Sequence, residues 1–218
     1  CKSILEDLYI TTLNNNSSMI LNQKNNSIDI INIFKNTFDL SSEEKKGVKF
    51  ISDNIGLINQ YGGCVQHGDF CRQNILITGP VKNKKINIID WSDSVLNGAP
   101  LHDLFYFLTS YFMQQRIDGG AKSISNAFLD TYFRSSSYHD LVKHTIFNFC
   151  NKCAIDKNHL PILFGLFLIK QSLFEYNKMK KCLTNDTLPR FILKLANDNQ
   201  ANLEEAAKQQ LWIIFFIY

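Results

Sequence analysis

Between Gln66 and Trp91 the chain gathers side chains suited to metal-assisted chemistry. It reads Gln66-His67-Gly68-Asp69-Phe70-Cys71-Arg72-Gln73-Asn74-Ile75-Leu76-Ile77, then a turn, then Ile86-Asn87-Ile88-Ile89-Asp90-Trp91. Asp69 and Asn74 stand five positions apart, and Asp90 ends the second apolar run. Carboxylate and carboxamide oxygens are hard donors, the ligands that Mg²⁺ prefers. A carboxylate beside such a site can also orient a hydroxyl group and take its proton. These are the needs of phosphoryl transfer, in which charge develops on phosphate oxygens. There the protein supplies positioning and electrostatic stabilisation.

Such donors must be brought to one point by the elements around them. Cys64–Gln66 is a short apolar lead-in. Ile75–Thr78 and Ile86–Ile89 read as β-runs, and the polar segment Gly79–Lys85 suits a hairpin turn. A tight loop before this hairpin holds Asp69 and Asn74 on one side, facing Asp90 from the far strand. Upstream, Ile4, Leu5, Leu8, Tyr9 and Leu13 fall at helical spacing, Asn14–Ser18 breaks the pattern, and Ile28–Phe38 repeats it. Ser41-Ser42-Glu43-Glu44 reads as a helix cap with an acidic first turn, leading into a helix through Tyr61 that Gly62-Gly63 ends. Downstream, helices are expected over Leu101–Arg116, Ser123–Phe133, Tyr138–Cys153, Pro161–Cys182 and Pro189–Ala196, with a last one from about Ala201. No internal repeat is visible. Phe105, Tyr106, Phe107, Tyr111 and Phe112 sit at helical spacing and read as core.

The spacing of Asp69, Asn74 and Asp90 follows the kinase catalytic loop, in which Asp precedes Asn by five and a metal-binding Asp follows the next hairpin. His67-Gly68-Asp69-x₄-Asn74 followed by Ile89-Asp90-Trp91 resembles the aminoglycoside phosphotransferase and choline kinase superfamily. Gly there replaces the Arg of the protein-kinase His-Arg-Asp triplet. Gly98-Ala99-Pro100-Leu101-His102-Asp103-Leu104 resembles the downstream Pro-x-x-Asp-Leu segment of that superfamily, which opens a helix. The resemblance implies an α+β fold of the protein-kinase-like C-terminal lobe, mostly helical, with a small hairpin carrying the catalytic loop. It implies ATP as co-substrate and Mg²⁺ as cofactor. Asp69 would be the catalytic base toward a small-molecule hydroxyl, Asn74 and Asp90 would hold metal, and His67 and Asp103 would brace the loop. An Asx-type turn would account for Asp69 and Asn74, but not for Asp90 and Asp103 as well.

Motif content runs from Gly62 to the helices after Phe112, and beyond that the likeness is only helical. Two details depart from the family pattern. Cys71 and Arg72 stand where the family often has a small or His residue followed by Pro. Arg72 suits a phosphate contact or is simply a solvated loop charge, and Asp93 faces either the substrate cleft or solvent. The family's nucleotide-covering lobe needs a Gly-containing strand pair and a strand-borne lysine, yet no glycine precedes Gly47. The expectation is that the N-terminal lobe is absent. Residues 1–61 then form a linker and the first helices, and 62–218 the catalytic lobe. The start at Cys1 agrees with truncation. The alternatives are a non-catalytic, pseudokinase-type binding module, whose usual signature is loss of the base or metal ligands, and an inactive truncated fragment. The acceptor stays open among aminoglycosides, choline or ethanolamine, a sugar-like polyol and a protein residue, because fold and motif do not supply a substrate.

Composition narrows the partners. With 218 residues, 45% of them hydrophobic and 20% charged, this is an ordinary globular chain. A net charge of +3 is too small to argue for nucleic acid, and Lys82, Lys84 and Lys85 read as a solvated turn. No apolar stretch reaches the roughly 20 residues needed to span a bilayer. Leu160–Ile169, interrupted by Pro161 and Gly165, reads as a buried helix, while Leu211–Tyr218 is too short to cross. Six cysteines without a framework, and no leader pattern, point to reduced thiols and a cytoplasmic location. Cys150 and Cys153 lack the second pair that structural zinc requires and read as free thiols on a helix. Cys71, with no charge partner in the sequence, has little claim to special reactivity.

Overall fold

A computed structural model describes residues 2–13, 20–61, 63–80, 82–120 and 124–184. Among them the chain runs α1 (Lys2–Leu13), α2 (Ile20–Thr37), α3 (Ser42–Asn54) and a 3₁₀ helix (Ile55–Tyr61). Then come β1 (Cys64–Gln66), a 3₁₀ turn (Arg72–Asn74), β2 (Ile75–Thr78), β3 (Lys85–Ile88) and β4 (Val95–Gly98). Helices α4 (His102–Asp118), α5 (Ile124–Tyr132), α6 (Ser137–Lys152) and α7 (Leu160–Thr184) follow, with a 3₁₀ turn at Lys157–His159 before α7. This mostly helical chain with small antiparallel sheets is compatible with the α+β expectation. The expected break at Asn14–Ser18, the helices at Pro189–Ala196 and from Ala201, and the run Leu211–Tyr218 lie outside the described residues.

The chain divides into two compact units. One comprises Cys1–Asn25 and Ile55–Phe164, and the other Asn26–Asn54 and Gly165–Tyr218. In the second unit, Ile31 and Phe34 of α2 and Phe38 just after it recur at helical spacing and are buried, as are Val48 and Ile51 of α3. Phe38 packs edge-on against Tyr176 at 5.3 Å between ring centres. The start of α3 is a capping box: Ser41 Oγ accepts from the Glu44 amide at 3.2 Å, and a Glu44 carboxylate oxygen accepts from the Ser41 amide at 2.6 Å.

The helix expected through Tyr61 is corrected. The α-helix stops at Asn54, and Ile55–Tyr61 tightens to 3₁₀. Its buried residues, Ile55, Ile58 and Tyr61, are spaced by three, the period of that helix. The second β-run shifts back by one residue, from Ile86–Ile89 to Lys85–Ile88. A second small sheet, β1 with β4, was not foreseen.

The first unit carries the sheets. β2 and β3 pair antiparallel with Ile75 opposite Ile88 and Thr78 opposite Lys85, and the Ile89 amide donates to Asn74 O at 3.0 Å, extending that ladder. β1 pairs with β4 through Cys64 opposite Gly98. A Cβ at Gly98 would run into the Gln66 side chain, so only glycine lets these short strands close. Helix α4 buries Leu104, Phe105, Leu108, Phe112 and Met113. The core continues through Phe105 and Phe164, 5.0 Å apart, and Tyr132 and Phe164, 4.8 Å apart. The Tyr132 hydroxyl lies 2.6 Å from Thr109 Oγ1, so this buried phenol is satisfied. Of the aromatic set expected in the core, Phe105 and Phe112 are buried, while Tyr106, Phe107 and Tyr111 are half-buried.

Helices α4 and α5 are also tied by charge. One Asp130 oxygen accepts from Arg116 at 2.6 Å and the other from Arg134 at 3.1 Å. Hydrogen bonding from Arg116, then from Arg134, holds the Asp130 carboxyl below the usual carboxylate range, against the opposing effect of burial. The stabilisation is therefore present above the ordinary carboxylate pKa and is lost as pH falls through the lowered one. Asp130→Asn is expected to cost about 1 kcal/mol at neutral pH, because the site is partly solvated. Urea titrations of the two proteins should converge as the solution is acidified through that range, whereas a gap that is constant with pH would exclude the ionic origin.

Cys150 ends up buried on α6 and Cys153 buried at its C-terminal cap, both as free thiols. Burial pushes Cys150 up to about 11 and Cys153 up to about 12, so neither forms thiolate readily. Ile162, Leu163, Leu166, Phe167, Leu168 and Ile169 are buried, as expected for the start of α7. Among the described residues, no helix is long and apolar enough to cross a membrane.

Candidate active site

The loop between β1 and β2 is held from below by two side chains. Asp103 sits in the first turn of α4, which is entered through Leu101 in the left-handed conformation (φ 66°). Its carboxylate accepts two successive amides, His67 N at 2.6 Å and Gly68 N at 3.0 Å. Such charge-assisted bonds are the stronger kind, and Asp103 is 7% exposed. His67, fully buried, is the second support. Its Nδ1 accepts from the Asp69 amide at 3.3 Å, so the ring proton lies on Nε2, which donates to Ile89 O at 2.9 Å. One imidazole thus joins the Asp69 loop to the strand end that precedes Asp90. The Trp91 ring packs on the same imidazole at 4.6 Å between centres.

Gly68 explains the sharpness of the bend. Its φ is +87°, and a Cβ there would collide with the Asp93 carbonyl. Phe70, buried between His67 and Phe107 at 5.8 Å from each, anchors the residue after Asp69. The Asp69 carbonyl then accepts from Cys71 N at 2.9 Å, and Asn74 N donates to Cys71 O at 3.1 Å, which closes the loop into β2.

Asn74 is buried, and its side-chain amide donates to Asp69 O at 2.9 Å and to Asp69 Oδ2 at 3.0 Å. Both partners are acceptors, which fixes the carboxamide orientation and leaves Oδ1 as its acceptor end. Because Asn74 pairs with Ile89, Asp90 is the next residue along the opposite strand. Asp90 takes φ 57°, a left-handed conformation that Asp tolerates better than most residues, and its carboxylate is exposed.

Of the residues singled out in the sequence, His67, Asp69, Asn74 and Asp103 are joined by hydrogen bonds, and Asp90 follows through the Asn74–Ile89 pairing. Arg72 is exposed on the short 3₁₀ turn and Asp93 is exposed beyond Asp90, so neither is drawn into this network by its side chain. Ser92 was missed. Its hydroxyl donates to Asp90 Oδ1 at 2.7 Å, and an Asp-x-Ser spacing beside a strand end was its only signal. Among the described residues, no group of three or more His, Cys, Asp or Glu is arranged to hold a metal.

Residues 59–139 match the model of the phosphotransferase enzyme family, APH. This match is consistent with the aminoglycoside phosphotransferase and protein kinase-like superfamily. The matched segment contains His67, Asp69, Asn74, Asp90 and Asp103, and the match supports phosphotransfer as the general class of activity. Neither the curated proteins nor the solved structures gave a match.

Proposed function

We propose that the chain carries the base and the metal-binding groups of an ATP- and Mg²⁺-dependent phosphotransferase whose acceptor is the hydroxyl of a small molecule. A sugar-like polyol, an aminoglycoside or choline would each present such a group. The observation that supports this best is the orientation of Asn74. Its side-chain N–H groups donate to Asp69 O and Oδ2, which leaves its carbonyl oxygen as the atom that would share a cation with the Asp90 carboxylate. One carboxylate and one carboxamide oxygen fit Mg²⁺, which is typically held by one or two carboxylates together with waters and substrate phosphates. Bound there, Mg²⁺ would neutralise charge on the phosphate oxygens.

The remaining work falls to the chain. Asp69, its backbone fixed by His67 and its Oδ2 by Asn74, orients the acceptor hydroxyl. It accepts the proton as the acceptor oxygen bonds to the γ-phosphorus and the bond to the β,γ-bridging oxygen breaks, so that ADP leaves. His67 and Asp103 position the loop without touching substrate.

A calorimetric titration with ATP tests this reading. Binding should appear with Mg²⁺, vanish in chelator, and weaken at least tenfold in Asp90→Ala. ATP binding of equal strength with and without metal, or unchanged in the variant, would remove Asp90 from the site.

A further inference from the structure

We infer that Ser92 is a positioning residue for Asp90, one that sets which carboxylate oxygen is presented to a divalent cation. The inference rests on the metal-binding reading of Asp90 proposed above. Asp90 is exposed just beyond the end of β3. A carboxylate in that setting samples several rotamers, and fixing one on cation binding costs conformational entropy.

The backbone removes much of that freedom. With φ 57° at Asp90 the chain turns back, and the Ser94 amide donates to Trp91 O at 3.1 Å, closing the turn. Trp91 is clamped by its contact with the His67 ring and by its indole N–H, which donates to Ile88 O at 3.1 Å. Ser92 is thereby held on the side-chain side of Asp90, where its Oγ–H donates to Oδ1 at 2.7 Å. That is the length of a charge-assisted O–H···O⁻ bond. With Oδ1 engaged by Ser92, Oδ2 is the oxygen assigned to the cation. Groups that hydrogen-bond to a metal ligand orient it, and their removal typically lowers metal affinity about 10- to 100-fold. A hydroxyl is required, and a methyl group beside it is sterically admissible at an exposed position, so Thr should substitute for Ser and Ala should not.

The test is a titration of the chain with Mn²⁺ alone, read as paramagnetic broadening of the backbone amides of residues 89–94. Wild type, Asp90→Ala, Ser92→Ala and Ser92→Thr are compared. The expected result is saturable broadening in wild type, its loss in Asp90→Ala, a dissociation constant raised about tenfold or more in Ser92→Ala, and recovery to within about twofold in Ser92→Thr. If Asp90→Ala abolishes broadening while Ser92→Ala binds like wild type, the role of Ser92 is overturned and the metal reading stands. If wild type and Asp90→Ala behave alike, the metal reading itself fails and the role of Ser92 fails with it. Amide shifts of residues distant from the turn, unchanged in every variant, show that each remains folded.

Discussion

Replacing Asp69 with Asn is expected to lower Mg²⁺- and ATP-dependent transfer by about 10²- to 10⁴-fold while leaving the fold intact. That range is the usual contribution of a positioned general base and corresponds to roughly 3–5 kcal/mol of barrier. The substitution isolates this role because it changes so little else. The Asp69 amide still donates to His67 Nδ1, and its carbonyl still accepts from Cys71 N and from Asn74. The carboxamide oxygen can replace Oδ2 as acceptor for the Asn74 amide, the other side-chain contact at this position. What would disappear, on the proposed reading, is the capacity to take a proton from the acceptor hydroxyl. Initial rates of transfer should collapse, while ATP affinity and the circular dichroism melting curve stay close to wild type. Near-normal rates in the variant would exclude Asp69 as the base.

The residues that could carry this chemistry were legible because their signal is local. Asp69 and Asn74 lie within one loop, and the two short isoleucine-rich runs that follow them are separated by a polar Gly-Pro segment with the composition of a hairpin turn. Helices α4 to α7 were legible for the same reason, although their ends moved by one or two residues, as helix ends do. The β1–β4 sheet was not legible. It pairs three residues with four across a long stretch of chain and rests on Gly98 admitting the Gln66 side chain. Strands that short carry no period, and a close backbone approach leaves no trace in composition. The switch at Ile55 was readable in principle, since burial at Ile55, Ile58 and Tyr61 follows a period of three. The Ser92–Asp90 bond lies between these cases. The two residues are sequence neighbours, yet they meet only because Asp90 adopts a left-handed conformation that nothing in its identity requires.

The support of the loop makes a second large effect expected, this time on stability. Asp103→Ala should destabilise the chain by about 3–5 kcal/mol, because it strips the acceptors from a buried and a part-buried backbone amide at once. Each hydrogen bond to a charged group is worth about 1.5–3 kcal/mol, and the donors, on His67 and Gly68, would be left pointing into a gap that alanine cannot fill. Gly68 cannot easily turn its amide elsewhere, since its left-handed conformation lies against the Asp93 carbonyl. Asp103→Asn should fall between alanine and wild type, because a carboxamide offers one acceptor oxygen where the carboxylate offers two. Urea unfolding followed by circular dichroism distinguishes these cases: at about 2 kcal/mol per molar urea, the alanine variant should unfold some 1.5–2.5 M earlier. Amide shifts of His67, Gly68 and Asp69 should move in both variants even below the transition, since this carboxylate is one of the two supports of the loop. Equal midpoints for wild type and Asp103→Ala would mean that the loop is held by the His67 ring and the β2–β3 ladder alone, and that Asp103 contributes nothing to placing Asp69.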